Sequence, residues 1–249
     1  MNTQYHKIIN SFVDKYGLNR GEVMAEIERT FSSILSRWHG QDIVVLFGDD
    51  RLVASGYSTT LGLINQTPID LTTMRGWNSI RRTLDKNLGK AACLKEVAAY
   101  KRNEQEMRWG EIIKKKKDGS FYVETEIESG KPLIAVCPRN HIGIHEHDQL
   151  QVGERRAFHL RRIDPVYLHD TPRVKISVDR VSKSLVEGLL KFQLGNDQVQ
   201  LRCLNRYVGH KSFVESSIFL PKKVILTASR ELNEHIQVRV IKAARGCRY

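Results

Sequence analysis

Arg173-Val-Lys-Ile-Ser-Val-Asp-Arg-Val-Ser-Lys-Ser-Leu-Val-Glu-Gly-Leu-Leu190 changes its period in the middle. Val174, Ile176 and Val178 fall two apart, the repeat of a half-buried strand. Beyond Val181 the apolar residues Leu185, Leu189 and Phe192 fall at helical spacing instead. A strand that runs straight into an amphipathic helix ends one module and opens the next.

Toward the N-terminus, four more strand-like runs precede this one, at 109–114, 120–126, 132–137 and 155–163. Turns such as Lys117-Asp-Gly119 and Ser129-Gly130 separate them. A helical segment over 77–106, with Ile80, Leu84 and Leu88 four apart, leads into the first strand; Gly89 is a point where it can kink. Helix, five short strands, helix is the order of an OB barrel, a nucleic-acid-binding module. The tail continues with a strand over 199–207, a turn at Gly209, a strand over 211–215, a helix over 221–232 and a strand over 235–241. A β-β-α-β unit of that size is the skeleton of a reduced KH-like domain.

The front is built differently. Tyr5, Ile8, Ile9, Phe12, Val13 and Tyr16 lie at helical spacing, and Gly17 suits a C-cap. Asn19 with Glu22 makes a capping-box pattern for a second helix carrying Val23, Ile27, Phe31, Ile34, Leu35 and Trp38, which ends at Gly40. A strand over 42–47, the turn Gly48-Asp-Asp-Arg51 and a strand over 52–57 form a hairpin. The segment 58–76, which contains Pro68, is weakly patterned. The expected class is therefore α+β and multidomain: a helical and β-hairpin N-terminal domain with a long linker helix (1–106), a five-stranded OB barrel (107–180), and a connecting helix with a small KH-like domain (181–249).

Composition agrees with two or three modules in 249 residues, and 41% hydrophobic content suits a packed core. The net charge of +12 is unevenly placed. Up to Glu106 there are 14 Lys/Arg against 12 Asp/Glu, and from Met107 onward 26 against 16. A basic rear points to a polyanion and a near-neutral front to a protein partner. Cys93, Cys137, Cys203 and Cys247 have no CxxC spacing, which fits a reduced, cytoplasmic protein and argues against a zinc ribbon or a disulfide framework. No apolar run approaches 18 residues, so no membrane partner is expected. The amphipathic N-terminus is not a secretion signal.

The serial order of modules resembles the bacterial transcription elongation factor NusA across nearly the whole chain. Residues 8–57 look like that family's N-terminal domain. Arg82-Thr-Leu-Asp-Lys86 through Asn103-Glu-Gln-Glu-Met-Arg-Trp-Gly-Glu111 is similar to its linker helix running into a barrel. Gln151-Val-Gly-Glu-Arg-Arg-Ala-Phe158 is similar to a barrel strand start, and Val174 to Leu190 to the barrel exit. The resemblance implies RNA and RNA polymerase as partners, no cofactor, and an influence on pausing, termination or antitermination. It implies a front that docks on polymerase and a basic rear that meets the transcript. Two departures stand out. The family has two KH domains where this chain has room for one, and its Gly-x-x-Gly clamp is replaced here by Leu220-Pro-Lys-Lys223.

The expected RNA contacts follow from the residue types. Phe121 and Tyr122 lie on the second barrel strand, where alternation turns one of them outward for base stacking. Lys114, Lys115, Lys116 and Lys117 run along the same edge. Arg155, Arg156, His159, Arg161 and Arg162 bring positive charge along the fourth strand, and Lys222 and Lys223 stand at a helix start where backbone amides can hold a phosphate. His141-x-x-x-His145-Glu-His147-Asp148 is the one passage with metal-ligand residue types, but its spacing is not that of a metallohydrolase and no second ligand set follows; no metal is expected. No nucleophile elbow or phosphate-cradling glycine loop occurs, so no enzyme activity is expected. Two rivals stay open: a polymerase-independent RNA-binding module, whose front helices would serve as a dimerisation element, and a hydrolase using the histidine loop. The oligomeric state is not legible.

Overall fold

The computed structural model describes residues 3–48, 51–58, 62–69, 76–128, 130–169 and 171–241. The turn at Asp49 and Asp50, and Ser129, lie outside them. Within the described residues the chain is α+β, with five α-helices and three sheets, one of them a closed five-stranded barrel. It divides into two compact units, Met1–Glu96 with Pro165–Arg173, and Val97–Asp164 with Val174–Tyr249. Most of the barrel and the described tail fall within the second unit, while the end of the fourth barrel strand and the start of the fifth, within 165–173, group with the first. No helix among the described residues is long and apolar enough to cross a membrane.

The first unit is organised by its capped helix. After α1 (Thr3–Tyr16), Asn19 accepts the Glu22 amide at 2.8 Å while the Glu22 carboxylate accepts the Asn19 amide at 2.7 Å, so the capping box closes and α2 (Arg20–His39) begins. Gly40, at φ 64, ends the helix in the left-handed conformation. Three strands follow, β1 (Asp42–Gly48), β2 (Arg51–Ser58) and β3 (Gly62–Ile69), in the order β1-β2-β3. The strand β3 comes from the weakly patterned segment. Pro68 is compatible with it because β3 is an edge strand, where a missing amide need not break a ladder bond. Helix α3 (Trp77–Lys101) ends five residues before the expected boundary and runs unbroken through Gly89, whose missing side chain leaves room for Pro172 at 3.5 Å. Phe12, Val23, Ile27, Phe31, Val45, Leu52, Ile80, Leu84 and Leu88 form the core.

The free edge of β1 is covered by α2. Val45 N donates to Ser32 Oγ at 2.8 Å, Ile43 N to Ser36 Oγ at 2.9 Å and Phe47 N to Glu28 Oε1 at 2.7 Å. Glu28, Ser32 and Ser36 are four apart on one helix face, and the strand amides they satisfy are two apart. An edge that would otherwise present unpaired donors is closed by its own helix.

The barrel strands β4 (Met107–Lys115), β5 (Phe121–Glu126), β6 (Pro132–Cys137), β7 (Arg155–Leu168) and β8 (Thr171–Asp179), which belong to the second unit except at residues 165–173, close in the order β4-β5-β6-β8-β7. β4 pairs antiparallel with both β5 and β7, and β6 runs parallel to β8. Ile112, Phe121, Val123, Ala135, Phe158, Leu160, Ile163, Ile176 and Val178 fill the interior. After α4 (Lys183–Leu194) come β9 (Leu201–Tyr207), β10 (Lys211–Ser216), α5 (Lys222–Leu232) and β11 (His235–Val240). β10 lies between β9, antiparallel to it, and β11, parallel to it. Leu185, Leu189, Leu201, Val214, Leu220, Val224, Leu232 and Ile236 form this region's core, which also takes in Ala157 of β7.

A buried arginine joins barrel to tail. Arg180 is fully buried at the end of β8. Its Nε and Nη2 donate to the Glu146 carboxylate at 2.6–3.0 Å, and its Nη1 donates to Glu231 Oε1 at 3.1 Å and to the Ala157 carbonyl at 2.6 Å. Glu146 belongs to a short 3₁₀ turn (Ile144–Glu146) and Glu231 to α5. Burial would weaken the arginine's charge, but the two carboxylates outweigh it and push its pKa up.

Candidate nucleic-acid interface

The outer face of β5 and β6 is where exposed chemistry collects on the barrel. Along β5, Phe121, Val123 and Thr125 are buried, so alternation turns Tyr122 outward, opposite Val136 of β6. Lys116 sits beyond the end of β4, in the turn to β5, with its ammonium 4.4 Å from the centre of the Tyr122 ring. Its pKa is raised, chiefly by its side-chain hydrogen bond to Tyr122. The turn is fixed by Asp118, which accepts from the Ser120 amide at 2.9 Å and from its hydroxyl at 2.5 Å. Gly119, at φ 82, leaves room for the Arg139 side chain; a Cβ there would lie 2.9 Å from Arg139 Cδ.

The result is an open hollow of about 760 Å³ bordered by Lys116, Ser120, Val136, Arg139, Ile144 and His147. Ile144 is 88% exposed, and Ile134, two residues before Val136 on the same face of β6, 58%. Tyr122 does not itself border the hollow; Lys116, which stands over its ring, does, so a ring with its cation adjoins apolar surface and a second cation, Arg139, a set that can take an aromatic base and its phosphate. Arg139 and Ile144 carry no signal in the sequence, because the turns that place them follow no repeat.

The other residues named from sequence distribute as follows. Lys114 and Lys117 are exposed beside this face. Lys115 donates to the His147 carbonyl at 2.7 Å. Phe121 is a correction: fully buried, it fills the barrel and offers no stacking surface. His159 is a second correction. It is 2% exposed and pairs with Asp179 at 3.2 Å, because β7 is covered on both sides there and Ala157 through Leu160 are all buried. Arg161 is half exposed and lies 3.6 Å from Asp179, and Arg162 pairs with Asp164 at 2.8 Å. Arg155 is exposed, whereas Arg156 is half-buried between Glu154 and Glu231. Lys222 and Lys223 are exposed in the first turn of α5, behind Pro221.

The histidine passage is structural in this arrangement. His145 packs on Gly143 and Gly209 and lies 3.3 Å from the Leu232 carbonyl, and His147 lies against the Arg139 and Ile142 carbonyls. Among the described residues, no three His, Cys, Asp or Glu side chains are grouped to hold a metal ion.

In the first unit, Val44 and Leu46 of β1 point away from the core and are 41% and 53% exposed. Trp38, near the end of α2, is half exposed. No protein-family model matches the chain, and no curated protein matches it.

Proposed function

We propose that the chain is a non-catalytic, NusA-like RNA-binding factor that engages elongating RNA polymerase through its first unit and single-stranded transcript through its second. The observation that carries this reading is Tyr122 on the outer face of the second barrel strand, with the Lys116 ammonium over its ring and Arg139 on the hollow that Lys116 also borders. OB barrels bind oligonucleotides on that face. Support also comes from the strand order, in which the first barrel strand pairs with the second and the fourth. The parallel β10-α5-β11 unit resembles a KH domain with one helix fewer. The outward Val44 and Leu46, in the unit of near-neutral charge, offer an apolar contact for a protein. Bound at both places, the factor would shift pausing, termination or antitermination by favouring or blocking RNA hairpins.

Two measurements test this. Polymerase should co-purify with the full chain from native lysate before and after nuclease treatment; recovery only before treatment leaves an RNA-binding module without polymerase contact. Affinity for a labelled single-stranded RNA should fall steeply with salt. Three to four phosphate contacts give a slope of log K against log salt of about −2 to −3. A flat salt response would remove the nucleic-acid reading altogether.

A further inference from the structure

The tail sheet is covered on one side only. Leu201, Cys203, Val214 and Ile236 turn inward to the α4 and α5 core. The opposite face is open, and its residues stand in three rows set by the register. Tyr207, Lys211 and His235 form the first row, Asn205, Phe213 and Gln237 the second, and Arg202, Glu215 and Arg239 the third. The irregularity between Phe213 and Val214 turns both Leu204 and Asn205 to solvent, and so keeps the rings of Tyr207 and Phe213 on the same face.

Two aromatic rings share this sheet face. Tyr207 is 60% exposed, and its ring meets that of Phe213 edge-on, with centres 6.4 Å apart. Lys211 lies over the Phe213 ring at 4.8 Å. Asn205 and Gln237 flank Phe213 from both neighbouring strands, with amide donors and acceptors at the level of the ring. Three cations, Arg202, Lys211 and Arg239, stand against one carboxylate, Glu215. Among the described residues none of the three makes an ion pair.

We propose that this open face is a second single-stranded RNA contact surface, with Tyr207 and Phe213 as stacking rings and Arg202, Lys211 and Arg239 as phosphate partners. The proposal rests on the RNA-binding reading above but not on its site. Ring, amide and cation in adjacent rows are what an extended strand requires: a π-face for each base, a polar group for the base edge and charge for the backbone. A protein-docking face of this size would instead concentrate apolar side chains at its centre and exclude charge from it. Here the centre is Phe213 between two amides, and the exposed aliphatic side chains stand at its margins, Leu204 at 39% and, beyond the Arg202-Glu215-Arg239 row, Ile241 at 43%. The face lies away from the Lys222-Lys223 helix start, so it replaces the missing glycine clamp with stacking.

The test is anisotropy of a labelled twelve-nucleotide single-stranded RNA with the full chain. Tyr207→Ala should weaken binding about 5-fold or more, the loss of one stacked base, with an unchanged circular dichroism spectrum and thermal midpoint. Tyr207→Trp should keep the affinity, and RNA should quench its added fluorescence. Arg202→Glu with Arg239→Glu should make the salt slope shallower by about 1.4, two single-strand phosphate contacts. Tyr122→Ala serves as the barrel control. If Tyr207→Ala binds as tightly as the unmodified chain while Tyr122→Ala is weakened, this proposal fails and the barrel site stands. If only the Tyr207 variants lose affinity, the sheet is the RNA site and the barrel assignment fails. A chain that binds no single strand at low salt overturns both. If Tyr207→Ala abolishes self-association or capture of polymerase while RNA affinity is unchanged, the face is a protein contact and the proposal is wrong.

Discussion

Arg180 illustrates how much a single side chain can hold. Its carboxylate partners Glu146 and Glu231 have almost no water of their own, with side chains 6% and 12% exposed. Replacing Arg180 with Met leaves Glu146 without its cation and Glu231 with only the longer contact to Arg156 at 3.5 Å. The expected cost is about 3–5 kcal/mol, read as a lower urea midpoint. Arg180→Lys should recover only part of it, because an ammonium cannot span both carboxylates and the Ala157 carbonyl in one plane. His141 gives a pH effect. Burial is the chief cause of its lowered pKa, with the Arg161 charge adding to it; Asp179 and a backbone hydrogen bond with Val178 oppose the shift. The unfolded chain therefore takes up this proton first as pH falls. The stability it contributes is complete above the ordinary histidine pKa, roughly 6.5, and is lost below it. Thermal midpoints of the unmodified chain should decline from pH 7 to pH 5, and His141→Gln should flatten that decline. Glu234 acts in the same direction at lower pH. Burial would raise its pKa, but the Arg206 hydrogen bonds and charge hold it below the usual carboxylate range. None of these roles was readable in the sequence. Glu146 and His145 stood in a passage with metal-ligand residue types, and their partners, Arg180 and Gly209, lie far along the chain.

Regular elements were legible wherever one periodicity ran long enough. Asn19 and Glu22 announced α2, and the alternation of Val174, Ile176 and Val178 announced β8. Alternation also separated Tyr122 from Phe121 in principle, since only one could face outward, but which one depended on the barrel's closure. β3 was missed because Pro68 and polar residues mask an edge strand, and α3 was overextended because Asn103 to Glu106 suit a helix as well as the turns they form. The pairing of α2 with the edge of β1 was also invisible, since serines four apart on a helix read as ordinary surface. Replacing Ser32 and Ser36 together with Ala should cost about 1 kcal/mol for each strand donor left unpaired. It should also make the chain associate in a concentration-dependent way as the β1 edge opens, which sedimentation at several loading concentrations will read.

The uneven charge of the chain was plain from the sequence, whereas the grouping of its parts was not. Most of the barrel groups with the tail in one compact unit, and the front core uses Ile80, Leu84 and Leu88 of α3. A fragment ending near residue 70 would therefore lose part of its own core, and polymerase docking is better tested in the full chain. Val44→Ser with Leu46→Ser should abolish nuclease-resistant recovery of polymerase while leaving RNA affinity and the thermal midpoint close to those of the unmodified chain. Recovery unaffected by the pair would move the docking surface elsewhere.

The salt-bridged joint at Arg180 also bears on how such a protein can be assembled from inherited pieces. A recombination event in the few residues between β8 and α4 would seem harmless, since it falls between two regular elements. It would nevertheless deliver Arg180 with one parent and Glu231 with the other. A foreign tail would have to supply acceptors at that depth, or the hybrid would bury the guanidinium, still paired with Glu146, with donors on Nη1 and Nη2 left unsatisfied. Barrel and tail should therefore be exchanged as a single cassette, with workable crossover points before β4 rather than after β8.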